Sequence, residues 1–472
     1  MRGALLLVGS LLAFNSSVAA KPNIIIFLAD DMGWNDVGYH NPGVSTPNID
    51  RLAKNGIELD RFYVNSLCSP TRASLMSGLF VTSHGVLAPV QSHKTNGMPL
   101  DIKILPEFLK DLGYSTHMVG KWHLGHANRA YWPQNRGFDS FYGSLGGGAG
   151  YFNHIWDGGL DLQSNGNTVF NATHLTYLVR DESLRVIEER TEKPFFLFAS
   201  FNAPHAPIES VAQDPSSADY HEPNGRKTYL EMIRELDDVI GSVLSALEVA
   251  EILEDTLIIF ASDNGGQEPQ SFIFNYFLPI AREAFASNDP LRADKGKTFE
   301  GGVRVPAVIW WQDRFVSDLK IQQPFHIADL LPTILKIVGL NGVGFDGVSQ
   351  LELLDKKNTK KHNYRESFVV GGIGSEALYD WPFKLVKEVS LPFVPDFFST
   401  ENYYLFNLID DPFEETDLKK SHSEIYDEMS NKMKSLERRS VVELDLSQGL
   451  EAYGGEITKQ PWAEAAQRVP GH

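Results

Sequence analysis

The chain reads as an α/β protein: a mostly parallel central sheet flanked by helices, followed by a smaller C-terminal α+β domain with an antiparallel sheet. Three observations predict this. Continuous apolar β-runs recur at residues 23–29, 195–201 and 256–262, without the polar alternation of a half-exposed strand. Amphipathic helical stretches lie between them, as at 228–253, where apolar residues fall at 230, 233, 240, 244 and 247. Beyond a charged, polar linker at 356–364 the runs turn short, at 367–370, 383–389 and 403–407, with a helix at 423–438.

Residues 1–20 have the form of a secretory signal: Arg2, an apolar core over 4–14, and the small-residue site Val18-Ala19-Ala20. That core is too short to span a bilayer, so the expected mature protein starts near Lys21, free of the membrane, and is secreted or periplasmic. Residues 21–355 would form the catalytic domain and 365–472 the smaller one. The single cysteine, Cys68, allows no internal disulfide, so an exported chain must rely on a large core. A formal net charge of −19 argues against nucleic acid and anionic membranes as partners. An anionic substrate would need a local cationic pocket, and Arg72, Lys121 and Lys295 are its candidates.

The first apolar run ends at Asp30-Asp31. Adjacent carboxylates at a strand's exit are costly unless something positive lies between them, and a hard divalent cation is the functional reading against a solvated turn. A helix is expected over 49–56 and a strand over 57–64, leading to Cys68. Ser69 suits an N-cap and Pro70 a first helical position, which places Cys68 at the mouth of a helix with Arg72 one turn on. A buried thiol opening an ordinary helix would account for the cysteine alone.

Residues 105–112 read as a helix closed by Gly113, and 115–119 as a strand emptying into Gly120-Lys121-Trp122-His123-Leu124-Gly125. On extended chain Lys121 and His123 would point the same way. The glycine-rich stretch 142–151 reads as a flexible loop at a pocket mouth. After a helix over 177–190, the 195–201 run ends in Asn202-Ala203-Pro204-His205-Ala206-Pro207, where prolines restrict the backbone around His205. The 256–262 run ends at Asp263-Asn264-Gly265-Gly266, either an Asx turn or a second pair of oxygen ligands. Residues 267–290 form a lid, a specificity loop or a packed surface helix. A strand over 305–311, a helix over 326–338 and a turn at 345–349 close the larger part.

Cys68-Ser69-Pro70-Thr71-Arg72 followed by Ala73-Ser74-Leu75-Met76-Ser77-Gly78 resembles the signature of the type I, formylglycine-dependent sulfatases. Gly-Lys-Trp-His-Leu-Gly at 120–125, the Pro-His-x-Pro context of His205 and the segment 295–304, Lys-x₄-Glu-Gly-Gly-x-Arg, resemble further motifs of that family. The flavour of 116–125, 136–139 and 290–292 is that of the arylsulfatase B, or N-acetylgalactosamine-4-sulfatase, group. The resemblance implies an alkaline-phosphatase-like fold and the following roles. Asp30, Asp31, Asp263, Asn264 and the modified Cys68 would bind Ca2+. Cys68, converted to formylglycine (3-oxoalanine) by a maturation enzyme, would supply the attacking oxygen, held by the metal and Arg72. Lys121 and Lys295 would offset the sulfate charge, His205 would protonate the leaving alcohol, and His123 would expel sulfate from the covalent intermediate. Lys297 is the alternative to Lys295, and Glu300 and Arg304 are expected to pair with each other. The implied substrate is a galactose- or galactosamine-type sulfated polysaccharide or oligosaccharide. Alternatives are a phosphonate monoester or phosphodiester hydrolase of the same superfamily, and a non-catalytic sulfoglycan-binding protein with an unmodified Cys68. One departure stands out: Leu79 follows Gly78 where the family carries arginine.

Overall fold

The computed structural model describes residues 21–91, 94–213, 225–269, 285–354, 365, 367–390 and 399–443. The signal, the 356–364 linker, most of 267–290 and the end of the chain lie outside the described residues.

The Asn23–Ala29 strand is the middle of a ten-stranded sheet. Its alternate residues go to opposite faces. Ile24, Ile26 and Leu28 join one core with Leu75, Met76 and Leu331, while Ile25, Phe27 and Ala29 join another with Ile233, Leu236 and Ile240. Helices cover both faces, which is why the run is apolar throughout. Phe195–Ser200 and Thr256–Ser262 pair parallel on either side, and Ser115–Gly120 pairs parallel beyond Phe195–Ser200. The register sets Leu28 opposite Ser200, Ala29 opposite Ser262, and Ser200 opposite Gly120. These strands therefore end along one edge, and the residues that follow them leave the sheet together.

Two expected elements divide. Residues 57–64 form Ile57–Leu59, in the large sheet, and Phe62–Tyr63, which pairs with Phe325–His326. The break falls at Asp60, whose carbonyl accepts from Arg304 Nε at 2.7 Å. The helix expected from 326 opens as a 3-10 turn over Ile327–Asp329, capped by the His326 ring, and turns α-helical at Leu330–Ile337. The Ala307–Trp310 strand runs antiparallel to its neighbour.

The Cys68–Ser77 helix starts two residues before the expected first helical position, with Leu67 as N-cap. Ser69 cannot cap because its hydroxyl donates to His123 O at 2.8 Å and accepts from Val90 N at 3.0 Å. Cys68 becomes the first helical residue.

In the C-terminal part, Ser367–Gly372, Ser375–Asp380, Phe383–Val389 and Glu401–Asn407 form one antiparallel sheet. Ser375–Asp380, half of a tight hairpin, was not among the expected strands. One face of the sheet packs Phe368, Val370 and Tyr379 on Tyr63, Phe299 and Val303. The other packs on the Ser423–Ser435 helix through Met429 and Met433.

The long Gly225–Val249 helix buries a carboxyl, Glu235, which accepts from Val211 N at 2.8 Å. Its other oxygen has no hydrogen bond, and burial pushes its pKa from 4.5 up to about 8. A carboxyl raised in this way stabilises the fold fully below the unfolded value and loses that contribution as pH climbs through the folded one. Glu235→Gln copies the protonated form. Its melting temperature should match the wild type near pH 4.5 and exceed it at pH 8, by several degrees at roughly 2–4 °C per kcal/mol. Equal melting curves at both pH values would show that Glu235 ionises freely in the folded chain.

Candidate active site

At the shared strand edge three buried carboxylates meet three buried cations. Lys121 Nζ donates to Asp30 Oδ2 at 2.5 Å, and Lys295 Nζ to Asp31 Oδ2 at 2.6 Å. Arg72 donates to Asp263 Oδ2 from Nε at 3.0 Å and Nη2 at 2.8 Å. Its Nη1 reaches Lys121 O at 2.8 Å and Ser200 Oγ at 2.6 Å. Asn264 Nδ2 donates to Asp31 Oδ1 at 2.6 Å, and Asp31 N to Asp263 Oδ1 at 3.3 Å. Any one of these charges buried alone would cost several kcal/mol, so the alternation of sign is what lets them share the site.

The protonation tendencies follow from burial and neighbours. Burial pushes Asp30 up against the pull of Lys121. Burial and the adjacent Asp30 raise Asp263 to about 6. Burial would also raise Asp31, but Lys295 and His205 outweigh it and hold that carboxyl well below the usual range.

The donor set suits a hard cation. Asp30 Oδ1 and Asn264 Oδ1 are buried and take no hydrogen bond. Unpaired buried acceptors of this kind are uncommon, and here both are oxygens beside two further carboxylates, the ligand chemistry of Ca2+. Asp30, Asp31 and His205 can also bring one ligand atom each within 4.8 Å of one another. The Cys68 thiol is the discordant member, because sulfur suits soft ions; an oxygen in its place would complete the set.

Cys68 Sγ lies 3.2 Å from His123 Nδ1. The expected parity of Lys121 and His123 on extended chain fails. The strand stops at Gly120, and His123 is left-handed, with φ 57°. Both side chains still reach the cluster, Lys121 through Asp30 and His123 through Cys68. Gly120 is required by close approach as well as by its φ of 95°: a Cβ there would stand 1.8 Å from Ser200 O. Burial pushes the Cys68 thiol up, so a nucleophilic thiolate is disfavoured at neutral pH. Burial, then Lys121 and Arg72, holds His123 well below its ordinary pKa. Burial, then Lys295, lowers His205 to about 3. His205 Nε2 lies 3.7 Å from Asp31 Oδ2, while Nδ1 faces Ala206 O at 2.6 Å.

All the candidate site residues therefore fall in one cluster, and the structure separates the two lysines left open. Lys297 turns away to Glu388 at 2.9 Å. Glu300 and Arg304 are 3.9 Å apart and have nearer partners: Lys384 at 2.9 Å for Glu300, and Asp60 at 3.1 Å for Arg304. The expected internal pair is thus a minor contact.

Sequence reasoning missed three features around the site. Ser200, the last residue of its strand, bridges Arg72 and the Lys121 carbonyl. Asp161 accepts from the backbone N–H groups of Leu145 and Gly146 at 3.1 and 2.6 Å. Trp156 stands crosswise to His205, ring centroids 6.4 Å apart and planes 71° apart. A signal existed for the last two: Asp157-Gly158, both at positive φ, is a two-residue hairpin turn flanked by Trp156 and Gly159. The glycine-rich loop is packed rather than merely pliable. A Cβ on Gly147 would stand 2.8 Å from His123 Nε2, and one on Gly148 2.5 Å from the Trp156 ring.

A family profile described as Sulfatase matches residues 22–340. Mouse (Mus musculus) arylsulfatase J is 34% identical over 332 residues, covering 67% of this chain and 52% of that protein. Human (Homo sapiens) N-acetylgalactosamine-6-sulfatase is 34% identical over 363 residues, covering 72% of this chain and 66% of that protein. The chain thus spans about half to two thirds of these relatives. Among solved structures, Ps i-CgsB in complex with k-i-k-neocarrahexaose superposes with a TM-score of 0.76 at 28% identity, covering 95% of this chain and all of that one.

Proposed function

The chain belongs to the sulfatase family, and from that premise we propose that it is a Ca2+-dependent sulfatase acting on galactose- or galactosamine-type sulfated oligosaccharides or polysaccharides. The observation that carries this is the clustering of Lys121, Lys295 and Arg72 with unpaired buried oxygens around Cys68, in a chain whose overall charge is −19. The substrate class is supported by the relative named for galactosamine and the neighbour solved with a neocarra-oligosaccharide.

Asp30, Asp31, Asp263, Asn264 and an oxidised Cys68 would hold the ion, which polarises oxygen and favours its anionic form. Cys68 converted to formylglycine would supply, as its hydrate, a hydroxyl in place of the thiol. The ammonium groups of Lys121 and Lys295 offset charge on the sulfate oxygens as the S–O ester bond breaks. The alcohol oxygen leaves with the bond's electron pair and needs a proton, which His205 delivers from Nε2. Burial keeps His205 neutral in the structure; a sulfate anion beside it favours the imidazolium. One oxygen of the hydrate, as its anion, would replace the alcohol on sulfur, and His123 Nδ1, facing position 68, would take the proton of the other hydroxyl as the C–O bond there breaks, the aldehyde re-forms and sulfate leaves.

Export belongs to this reading, as does a formylglycine-generating maturation enzyme that accepts Leu79. Among the described residues no helix is long and apolar enough to cross a membrane.

The test uses the export-processed protein on sulfated galactosamine and carrageenan oligosaccharides, 4-nitrophenyl sulfate and a phenyl phosphonate monoester. Sulfate release should fall about 100-fold or more with chelator and return with Ca2+. His205→Ala should cost roughly 10²–10⁴-fold on sugar esters and far less on 4-nitrophenyl sulfate, whose leaving group needs no proton. Faster turnover of the phosphonate, or no release from any galacto-configured ester, would sink the reading.

A further inference from the structure

We infer that Trp156 is the platform on which the leaving sugar stacks, so that this side chain selects a pyranoside as the substrate. This rests on the sulfate-ester reading above and names the residue that recognises the alcohol half of the substrate.

The argument starts from the hairpin Ile155–Trp156 and Gly159–Leu160. Its tight turn at Asp157-Gly158 fixes the indole beside the loop 144–148. A Cβ on Gly146 would stand 2.8 Å from Trp156 Cδ1, and one on Gly148 would stand 2.5 Å from Cζ3 and 2.9 Å from Cε3. Those atoms belong to the two different rings of the indole, so the glycines pack along its length. Gly147, between them, faces the other way, toward His123. One backbone strip thereby separates the indole from His123, the histidine that faces Cys68.

The far end of the hairpin is locked as well. Asp161 is fully buried and accepts two backbone N–H groups of the same loop. The indole is therefore held in place from below while it stays only partly buried. The indole and the His205 ring stand crosswise, centroids 6.4 Å and planes 71° apart. His205 is the group that must reach the ester's bridging oxygen. A sugar whose oxygen receives that proton lies within one ring's width of the indole. A galacto-configured pyranose carries adjacent axial-face C–H groups on C3, C4 and C5, an apolar patch that fits an aromatic face. A large rigid ring, fixed by its own backbone and placed beside the proton donor, contributes binding at little entropic cost.

The experiment compares wild type with Trp156→Ala, Trp156→Phe and Gly148→Ala on a sulfated galacto-oligosaccharide and on 4-nitrophenyl sulfate. For Trp156→Ala, kcat/KM on the oligosaccharide should fall roughly 10- to 100-fold, through KM. On 4-nitrophenyl sulfate, which carries no sugar to stack, the fall in kcat/KM should be several-fold smaller. Trp156→Phe should recover most of the loss, and Gly148→Ala, which pushes the indole off its bed, should reproduce part of it. Wild-type oligosaccharide kinetics in Trp156→Ala, or an equal fall in kcat/KM on both substrates, would overturn the inference while leaving the sulfatase reading intact. A wild-type protein that releases no sulfate from either ester would instead remove the reading on which it rests.

Discussion

Cys68→Ala should lower kcat/KM on aryl and sugar sulfates by about 10⁴-fold or more, while leaving the thermal transition close to that of the wild type. The side chain is small and its neighbours are polar, so truncation opens little space. On the proposed chemistry the loss would be chemical: the nearby hydroxyl, Ser200, is already tied to Arg72 and the Lys121 carbonyl. The thiol itself is a poor candidate nucleophile, since burial raises its pKa and the nearest ring, His123, is held neutral by burial and two cations. Wild-type protein that is active should accordingly have an intact mass about 18 Da below the encoded value, as –CH2SH becomes –CHO in a step of the cysteine-oxidation class. Full activity in protein carrying a plain thiol would remove the foundation of the proposed chemistry.

The second large effect lies in the contact between the small sheet and the rest of the chain. Lys384, on the Phe383–Val389 strand, is fully buried between Glu300 at 2.9 Å and Glu414 at 2.7 Å. Tyr63 and Tyr379 each donate to Glu300 at 3.0 Å, and Glu300 N donates to Glu414 Oε2 at 2.6 Å. Burial raises both carboxyls; Lys384 overcomes it at Glu300, while Glu414 remains pushed up to about 7. Lys384→Met leaves the two carboxyls facing each other with only the more distant Arg304, 3.9 Å from Glu300, as a cation, which should cost about 3–5 kcal/mol of unfolding free energy in urea. Without Lys384, burial should push both carboxyls above their unfolded values. Their stabilising contribution is then complete at low pH and lost as pH rises, so the deficit should be smaller at pH 5 than at pH 8. A deficit under 1 kcal/mol at pH 8, by the same measurement, would mean that this cluster does not hold the small sheet in place.

The parallel sheet was readable because each central strand buries both faces, and that requirement writes itself into consecutive residues. Asn23–Ala29 and Thr256–Ser262 match the predicted bounds for that reason. Ser140–Gly143 and Ser375–Asp380 escaped because a short strand is defined by its partner more than by its own composition. The candidate residues were legible where they leave a strand's end or sit in a dense motif, as Asp30, Lys121 and Asp263 do. The partners of Glu300 were not, since Lys384 and Glu414 lie 84 and 114 residues away and nothing local marks them.

By itself, then, the order of residues determined the sheet's central strands and which side chains emerge at their ends, because periodicity and strand exits are local properties. Tertiary structure alone decided how those side chains pair. It turned Arg72 onto Asp263, moved the helix start to Cys68 by engaging Ser69 elsewhere, and sent Lys297 to Glu388 instead of the cluster. The reason is that a buried charge or hydroxyl takes whichever partner packing brings within reach, and that partner is fixed by the meeting of distant segments.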